Sequence, residues 1–182
     1  MTGTTEQRLA RVEAQLAIGQ LPMRYALAVD QRDLDAWVAL FVPDVHLGRH
    51  GRGREALRAY IEPQLRWFYR SVHLLAGHRI ELGPDGTATG QVYCRAEHEV
   101  GDRWIVMAIR YDDSYRLVDG EWLFERRRER HWYAADVAEH PQAVGFDSWG
   151  TGGAPALPGI DRAWHGFWAG EPAAPTHRPA AG

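Results

Sequence analysis

The chain has 182 residues, 45% hydrophobic and 25% charged, and this length and composition fit a single globular domain. Its net charge of -3 provides no basic surface for nucleic acid or for an anionic membrane. The 21 basic residues are all arginine, which excludes a Schiff-base lysine, a phosphate-loop lysine and a lysine general base. Cys94 is the only cysteine, which excludes an intrachain disulfide and a thiolate metal cluster.

No targeting or membrane segment is visible in the sequence. It contains no apolar run approaching the roughly 18 residues that a membrane-spanning helix needs. The start, "MTGTTEQRLARVEAQ", lacks the basic and then apolar layout of a signal peptide. These features predict a cytoplasmic protein.

Helical patterns occupy the first 70 residues. Thr4 and Gln7 have the spacing of a capping box, which predicts a helix over about 5–30 with a kink or break at Pro22. Asp33 is a candidate N-cap for a short second helix. The segments that follow are the short helix "LDAWVALF", the extended piece "DVHL", the turn "GRHGRGR" and the helix "EALRAYIEPQLRWFYR".

An aspartate interrupts the apolar pattern at the end of the first helix, in "RYALAVDQRD". Counting back from Asp30 in threes and fours gives the apolar residues Leu27, Ala26, Met23, Leu16 and Val12. This spacing predicts that Asp30 lies on the buried side of the helix. A carboxylate there is costly unless it is paired or hydrogen-bonded, so the sequence predicts a partner for it.

The period changes to strand-like alternation after residue 70. Turn signals, the best of which is Asp119-Gly120, separate four segments. The segments are "SVHLLAGHRIEL", "ATGQVYCRAEHEV", "RWIVMAIRYDDSYRL" and "EWLFERRRERHWY". Helices followed by antiparallel strands predict an α+β domain with the helices packed on one face of a curved sheet.

The remainder of the chain is rich in Gly, Pro and Ala but also contains several large aromatic residues. Aromatic side chains of this size are costly to leave in water. We therefore expect a domain over residues 1–136 and a Trp-rich extension over 137–170 that docks on the domain or on a neighbouring subunit. Residues 171–182 are expected to be a disordered tail.

Five motifs in this order resemble the SnoaL-like branch of the nuclear transport factor 2-like superfamily. The motifs are "RYALAVDQRDLDAWVALFVPD", "GRGREALRAY", "SVHLLAGHRIEL", "TATGQVYC" and "YRLVDGEWLFERRR". The resemblance spans about residues 6–136. It implies a cone-shaped α+β barrel, in which a curved, mostly antiparallel sheet wraps around the N-terminal helices and a pocket opens inside the cone.

The resemblance also implies a site. Bile acid 7α-dehydratases, hexachlorocyclohexane dehydrochlorinases and scytalone dehydratases share an Asp–His pair, and Asp30 and His73 stand at the matching positions. Tyr25 matches a tyrosine of the bile acid dehydratases, whereas the dehydrochlorinases have a lysine there. An arginine of the last strand contacts substrate or leaving group in both groups, and Arg127 is the closest match. Because adjacent strand residues face opposite ways, Arg126 or Arg128 could be the inward one instead.

Strand parity alone does not decide the place of His73. It shares one predicted face with Leu75 and Arg79, while the apolar residues Val72, Leu74, Ala76 and Ile80 form the other face. That arrangement suits a pocket histidine and a surface histidine equally. The resemblance favours the pocket.

An Asp–His pair suits general-base chemistry, because the carboxylate fixes the imidazole tautomer and stabilises the imidazolium. The resemblance therefore predicts a cofactor-independent lyase of the dehydratase type. It would act on an apolar, possibly polycyclic or aromatic, small molecule. An isomerase or polyketide-type cyclase with the same pair, and a non-catalytic subunit like those of ring-hydroxylating dioxygenases, are the alternatives.

Four further residues are candidates for the pocket wall, namely Tyr69, Tyr93, Trp104 and His131. No metal is expected, because glycines interrupt the segment that carries His46 and His50 and no third ligand is placed by the sequence. The expected partners are a small-molecule substrate and further copies of the chain, in a dimer or trimer. Neither nucleic acid nor membrane is expected.

Overall fold

A computed structural model describes residues 3–139 and position 160. Three α-helices come first: α1 (Thr5–Gln31), α2 (Leu34–Ala39) and α3 (Gly53–Leu65), with a short 3-10 helix at Gly48–His50. Four strands follow, β1 (Ser71–Leu82), β2 (Thr87–Val100), β3 (Arg103–Val118) and β4 (Glu121–Asp136). The predicted α+β class is confirmed. The predicted extension and tail lie almost entirely outside the described residues.

Helix α1 begins as its sequence predicts. The Thr4 hydroxyl accepts a hydrogen bond from the Gln7 amide at 3.2 Å, and the Gln7 side chain accepts one from the Thr4 amide at 3.0 Å. Of the predicted kink or break at Pro22, the break is wrong, because the helix continues to Gln31. Pro22 is fully buried, so packing on the domain holds the turns around it in helical geometry. No helix of the described residues is long and apolar enough to cross a membrane.

The apolar stripe counted from Asp30 is not the buried face of α1. Val12, Leu16, Met23 and Leu27 are between 47% and 65% exposed. The residues of α1 that are buried are Ala14, Ile18, Leu21, Pro22, Ala26, Ala28 and Val29. The stripe prediction was therefore wrong, and Asp30 lies at the border of the true buried face, where the last turn of α1 meets β1.

The four strands form an antiparallel meander in the order β1-β2-β3-β4. Helix α1 packs against β1 and β4, and the segment after α2 adds a short parallel pairing to the sheet at Phe41 and Phe124. One hydrophobic cluster joins the helices to the sheet, and a second lies on β2 and β3 around Val92, Ile105 and Met107. The sheet is curved around the helices as in the predicted cone.

A bulge in β1 overturns the predicted face assignment of that strand. The pairing of β1 with β2 shifts between Leu75 and His78, and Gly77 takes a positive φ of 130° that favours glycine. Before the bulge, Val72 and Leu74 are exposed. After it the side chains change faces, so that Ile80 packs inward. The predicted apolar face is thus split between the two sides of the sheet.

Candidate active site

Asp30 and His73 form a hydrogen-bonded pair between the end of α1 and the start of β1. Asp30 Oδ1 lies 2.7 Å from His73 Nδ1, and Asp30 Oδ2 accepts a hydrogen bond from the His73 backbone amide at 3.0 Å. The hydroxyl of Ser71 donates to Oδ1 at 2.7 Å. Three donors thus satisfy the carboxylate, which accounts for its partial burial.

The environment holds Asp30 in its ionised form. Burial alone would raise the pKa of its carboxyl, but the hydrogen bond and charge of His73, the Ser71 hydroxyl and the His73 amide outweigh that effect. The net result is a pKa below the ordinary aspartate value. An ionised Asp30 accepts the Nδ1 proton of His73, and the pair leaves Nε2 as the nitrogen that can accept another proton.

Arg32 connects the end of α1, which carries Asp30, to the start of β1, which carries His73. It follows α1 in a left-handed conformation with φ of 60°. Its guanidinium donates to the Phe68 carbonyl at 3.1 Å and to the Ser71 hydroxyl at 3.2 Å, and it lies 4.6 Å from the centroid of the Phe68 ring. The start of β1 is thereby fixed against the end of α1.

His73 faces a cavity of about 270 Å³ beneath the sheet, the inner chamber. Among the described residues, no group is hydrogen-bonded to its Nε2. The chamber wall is apolar at Val29, Ile61, Leu65, Phe68 and Met107, and its polar wall residues include His73, His98, Glu129 and His131. The inner chamber, which His73 lines, therefore combines an apolar part with several polar side chains. Small-molecule sites use such polar groups to orient a ligand.

The inner chamber adjoins a larger cavity of about 870 Å³, the outer chamber, which lies between β4 and the helices α2 and α3. The two chambers share wall residues, among them Tyr25, Tyr60, Tyr111 and Glu129. The outer chamber extends to the 3-10 helix and past Arg126 and Arg128. Together the chambers offer room for a molecule larger than one ring.

Arg127 is the inward arginine of β4, with 4% of its side chain exposed, while Arg126 and Arg128 are exposed. It makes two hydrogen bonds to Asp113, at 2.9 and 2.7 Å, and the Asp113 side chain is fully buried. The guanidinium carbon lies 4.2 to 4.4 Å from three ring centroids, those of Tyr25, Tyr111 and Phe124. Arg127 thus places a paired positive charge behind the wall of the outer chamber.

Tyr25 lies between the two chambers, on α1, five residues before Asp30. Its ring packs against Trp37, Phe41, Tyr111 and Phe124. Burial raises the pKa of its hydroxyl, an effect that the Arg127 charge only partly offsets. The phenol therefore stays protonated at neutral pH and remains a hydrogen-bond donor.

Three of the four predicted wall residues are not in the pocket. Tyr69 is 82% exposed, and Tyr93 is exposed on the outer face of the sheet, where it packs against Trp132. Trp104 donates to Glu97 at 2.7 Å and contacts the Arg70 guanidinium. These predictions were wrong, because strand alternation turns Tyr93 and Trp104 outward and Tyr69 precedes β1 on the surface. His131 does line the inner chamber.

The sequence analysis missed two groups of the inner chamber, His98 and Glu129. His98 is opposite Ser71 in the β1–β2 register, and its ring centroid is 5.5 Å from that of His73. Burial, reinforced by the neighbouring His73, lowers the pKa of His98 to about 3, so its ring is neutral. The two-residue period of a strand could have predicted both. His98 lies on the same face of β2 as Cys94 and Ala96, and Glu129 lies on the same face of β4 as Arg127 and His131.

No group of three or more His, Cys, Asp or Glu side chains that could hold a metal ion occurs within the described part of the chain. His46 instead accepts a hydrogen bond from the Gly48 amide, and His50 stacks on Tyr60. The chamber walls carry carboxylate, imidazole, phenol and guanidinium side chains, among them Glu129, His73, Tyr25 and Arg127.

The model of the SnoaL-like domain family matches residues 10–128 of this chain, which is more than half of its length. No curated protein matches it by sequence. The matched range contains both members of the Asp–His pair, as well as Tyr25 and Arg127.

Many solved structures share the fold. A provisionally assigned scytalone dehydratase from Novosphingobium aromaticivorans aligns with a TM-score of 0.61 at 23% identity, covering 76% of this chain and 95% of that one. The type 3 hexachlorocyclohexane dehydrochlorinase LinA from Novosphingobium barchaimii aligns with a TM-score of 0.64 at 21% identity, covering 73% and 96%. A type 2 LinA gives 0.64 at 20% identity, covering 75% and 99%. At these identities the likeness establishes the fold.

Proposed function

The chain belongs to the SnoaL-like domain family, and we propose that it is a cofactor-independent lyase of the dehydratase type. The observation that carries the proposal is the 2.7 Å contact between Asp30 Oδ1 and His73 Nδ1, with the second nitrogen of His73 at the inner chamber. Dehydratases and dehydrochlorinases among the structures of the same fold support the choice of reaction class.

In the proposed reaction, His73 Nε2 removes a proton from a carbon atom of the substrate. The electrons of the broken C–H bond form a carbon–carbon double bond as the bond to the neighbouring hydroxyl breaks. Asp30 stabilises the imidazolium that results, and the imidazolium gives its proton to the departing hydroxyl, which leaves as water and returns His73 to its neutral form. A positioned base contributes about 10²- to 10⁴-fold to such a step.

Two more groups support the departure of the hydroxyl. Tyr25 is a protonated donor on the wall shared by both chambers, so it supplies a hydrogen bond to the leaving oxygen. Arg127 acts through its charge behind the Tyr25 and Tyr111 rings, because Asp113 binds its Nε and Nη2 and the remaining Nη1 is buried, without a hydrogen-bond partner among the described residues. We assign Arg127 to the electrostatics of the wall rather than to direct contact with the substrate.

The wall chemistry indicates the substrate class. Apolar residues of α1, α3 and β3 cover one part of the inner chamber, and its polar groups are concentrated on β1, β2 and β4. An apolar ring system that carries a hydroxyl and an acidified C–H bond would contact both parts, with its ring against the apolar residues and its hydroxyl against the polar ones. Cyclic and aromatic β-hydroxy ketones have these features.

Turnover of a panel of cyclic and aromatic β-hydroxy ketones, followed by mass spectrometry, tests the proposal. We expect loss of one water by the wild type and a loss of at least 100-fold in kcat for His73→Ala and Asp30→Asn. Tyr69→Ala, at an exposed surface position, is the control and keeps wild-type turnover. Wild-type rates in His73→Ala would rule out the dyad.

The same dyad also supports an isomerase or cyclase, in which the abstracted proton is returned to the substrate at another atom or a new ring closes. The mass of the product separates the reactions, because an isomer keeps the mass of the substrate. A mass-neutral product that depends on His73 would replace the lyase assignment and retain the base. Binding of ketones with no turnover at all would favour a non-catalytic subunit.

A further inference from the structure

Glu129 differs from its neighbours on the inner face of β4. Its side chain keeps 44% of its accessible surface, whereas Arg127 and His131 keep 4% and 10%. That surface is exposed to the cavities, because Glu129 is part of the wall of both chambers. Glu129 therefore lies at their junction, within reach of a molecule that occupies either one.

Only one oxygen of the Glu129 carboxylate has a hydrogen-bond partner among the described residues. Its Oε1 lies 2.7 Å from His131 Nε2, and no hydrogen bond joins Oε2 to any described residue. Burial would raise the pKa of Glu129, but the hydrogen bond and charge of His131, together with the charge of His73, keep it below the ordinary glutamate value. The group is therefore ionised at neutral pH and can only accept hydrogen bonds.

Two other charged groups of the site already have ionic partners. Asp30 is held by His73, and Arg127 is held by Asp113. Oε2 of Glu129 is thus a negatively charged acceptor that gains a partner when a hydrogen-bond donor enters. Charged acceptors form stronger hydrogen bonds than neutral ones, so a hydroxyl of a bound molecule gains more at Oε2 than at a neutral acceptor.

We propose that Glu129 selects the substrate by accepting a hydrogen bond from one of its hydroxyl groups at Oε2. The site then takes uncharged ring compounds with a hydroxyl donor and discriminates against the same ring with an ether in its place. The inference rests on the proposed function only for the location of the site, since it concerns binding and needs no turnover.

Calorimetric titration at pH 7 with 2-naphthol and 2-methoxynaphthalene measures this selection directly. The two probes share their ring and differ in the hydrogen that Glu129 would accept. We expect the wild type to bind the naphthol about 10- to 100-fold more tightly than the ether, the range for a hydrogen bond to a charged group. Glu129→Gln, which keeps the size of the side chain, should reduce that ratio to below about 5.

Glu121→Gln is the matched control. It removes the same charge from the same strand, at an exposed position that lines neither chamber. This variant should keep the wild-type ratio. A crystal of the wild type with 2-naphthol supplies a second readout that needs no variant, and the expected result is a naphthol oxygen within hydrogen-bond distance of Glu129 Oε2.

Three results would overturn the inference: equal affinity of the wild type for both probes, an unchanged ratio in Glu129→Gln, and no binding of either probe. Different results would contradict the dehydratase proposal. His73→Ala should retain the probe ratio while it loses turnover, so a loss of selection without loss of turnover contradicts Glu129 alone. Selective binding with no dependence of turnover on His73 contradicts the dyad alone.

Discussion

The carboxylate of Asp30 contacts His73 twice, through the backbone amide at 3.0 Å and through the imidazole at 2.7 Å. One contact fixes where β1 starts relative to α1, and the other fixes the tautomer and orientation of the ring. A single side chain therefore couples the docking of two elements to the placement of the base. This double contact explains why an acidic residue is tolerated at the edge of a buried helix face.

Asp30→Asn should lower kcat for the dehydration by about 10²- to 10⁴-fold with little change in KM. The amide oxygen can still accept one hydrogen bond, but it cannot stabilise an imidazolium. Steady-state kinetics with a β-hydroxy ketone that the wild type converts measure the effect, and far-ultraviolet circular dichroism verifies folding. A folded Asn variant with more than a tenth of the wild-type kcat would contradict the role of Asp30.

Arg32→Gln should lower kcat by about 10- to 100-fold without changing KM, because the start of β1 loses its tether and the base shifts from its productive position. We regard Arg32 as a positioning residue. Arg24→Gln, at an exposed position of α1, is the matched control. A rise in KM with unchanged kcat would instead indicate that Arg32 contributes to binding.

Arg127→Met should destabilise the fold by about 3–5 kcal/mol, because it leaves the buried Asp113 carboxylate without its cation. The double variant Arg127→Met with Asp113→Asn should recover part of that loss, since the uncompensated charge is gone and Tyr115 can still donate to the amide oxygen. Urea denaturation of the wild type and the variants measures both values. Additive losses in the double variant would argue against a coupled pair.

His98 should make the protein less stable in mild acid. The folded state keeps His98 neutral, with a pKa of about 3, whereas the unfolded chain protonates a histidine near its ordinary value of 6.5. The unfolded state thus binds more protons below that value, and stability falls as the pH decreases from about 6.5 towards 3. Between pH 7 and 5 this costs at most about 2 kcal/mol.

Urea unfolding at pH 7 and pH 5 checks this dependence. His98→Gln should lose less stability than the wild type over the same interval, because its side chain does not titrate. His50→Gln, at an exposed position, should behave like the wild type. Parallel losses in all three proteins would show that other groups cause the acid sensitivity.

Local rules determined much of the fold from the sequence. The capping box at Thr4 and Gln7, the strand-length alternation after residue 70 and the Asp119-Gly120 turn act over a few residues, and the structure has each of them. The α+β class followed from their order. Asp30 and His73 were paired through the family resemblance, since spacing along the chain cannot bring together residues 43 positions apart.

Tertiary packing decided the rest. The bulge at Gly77 reversed the parity of β1, and the docking of α1 buried a different face from the one that its apolar stripe indicated. Glu129 is important only because the chambers meet at that position. A strand pattern states which residues share a face, but the direction of that face and the cavity it borders depend on contacts between distant elements.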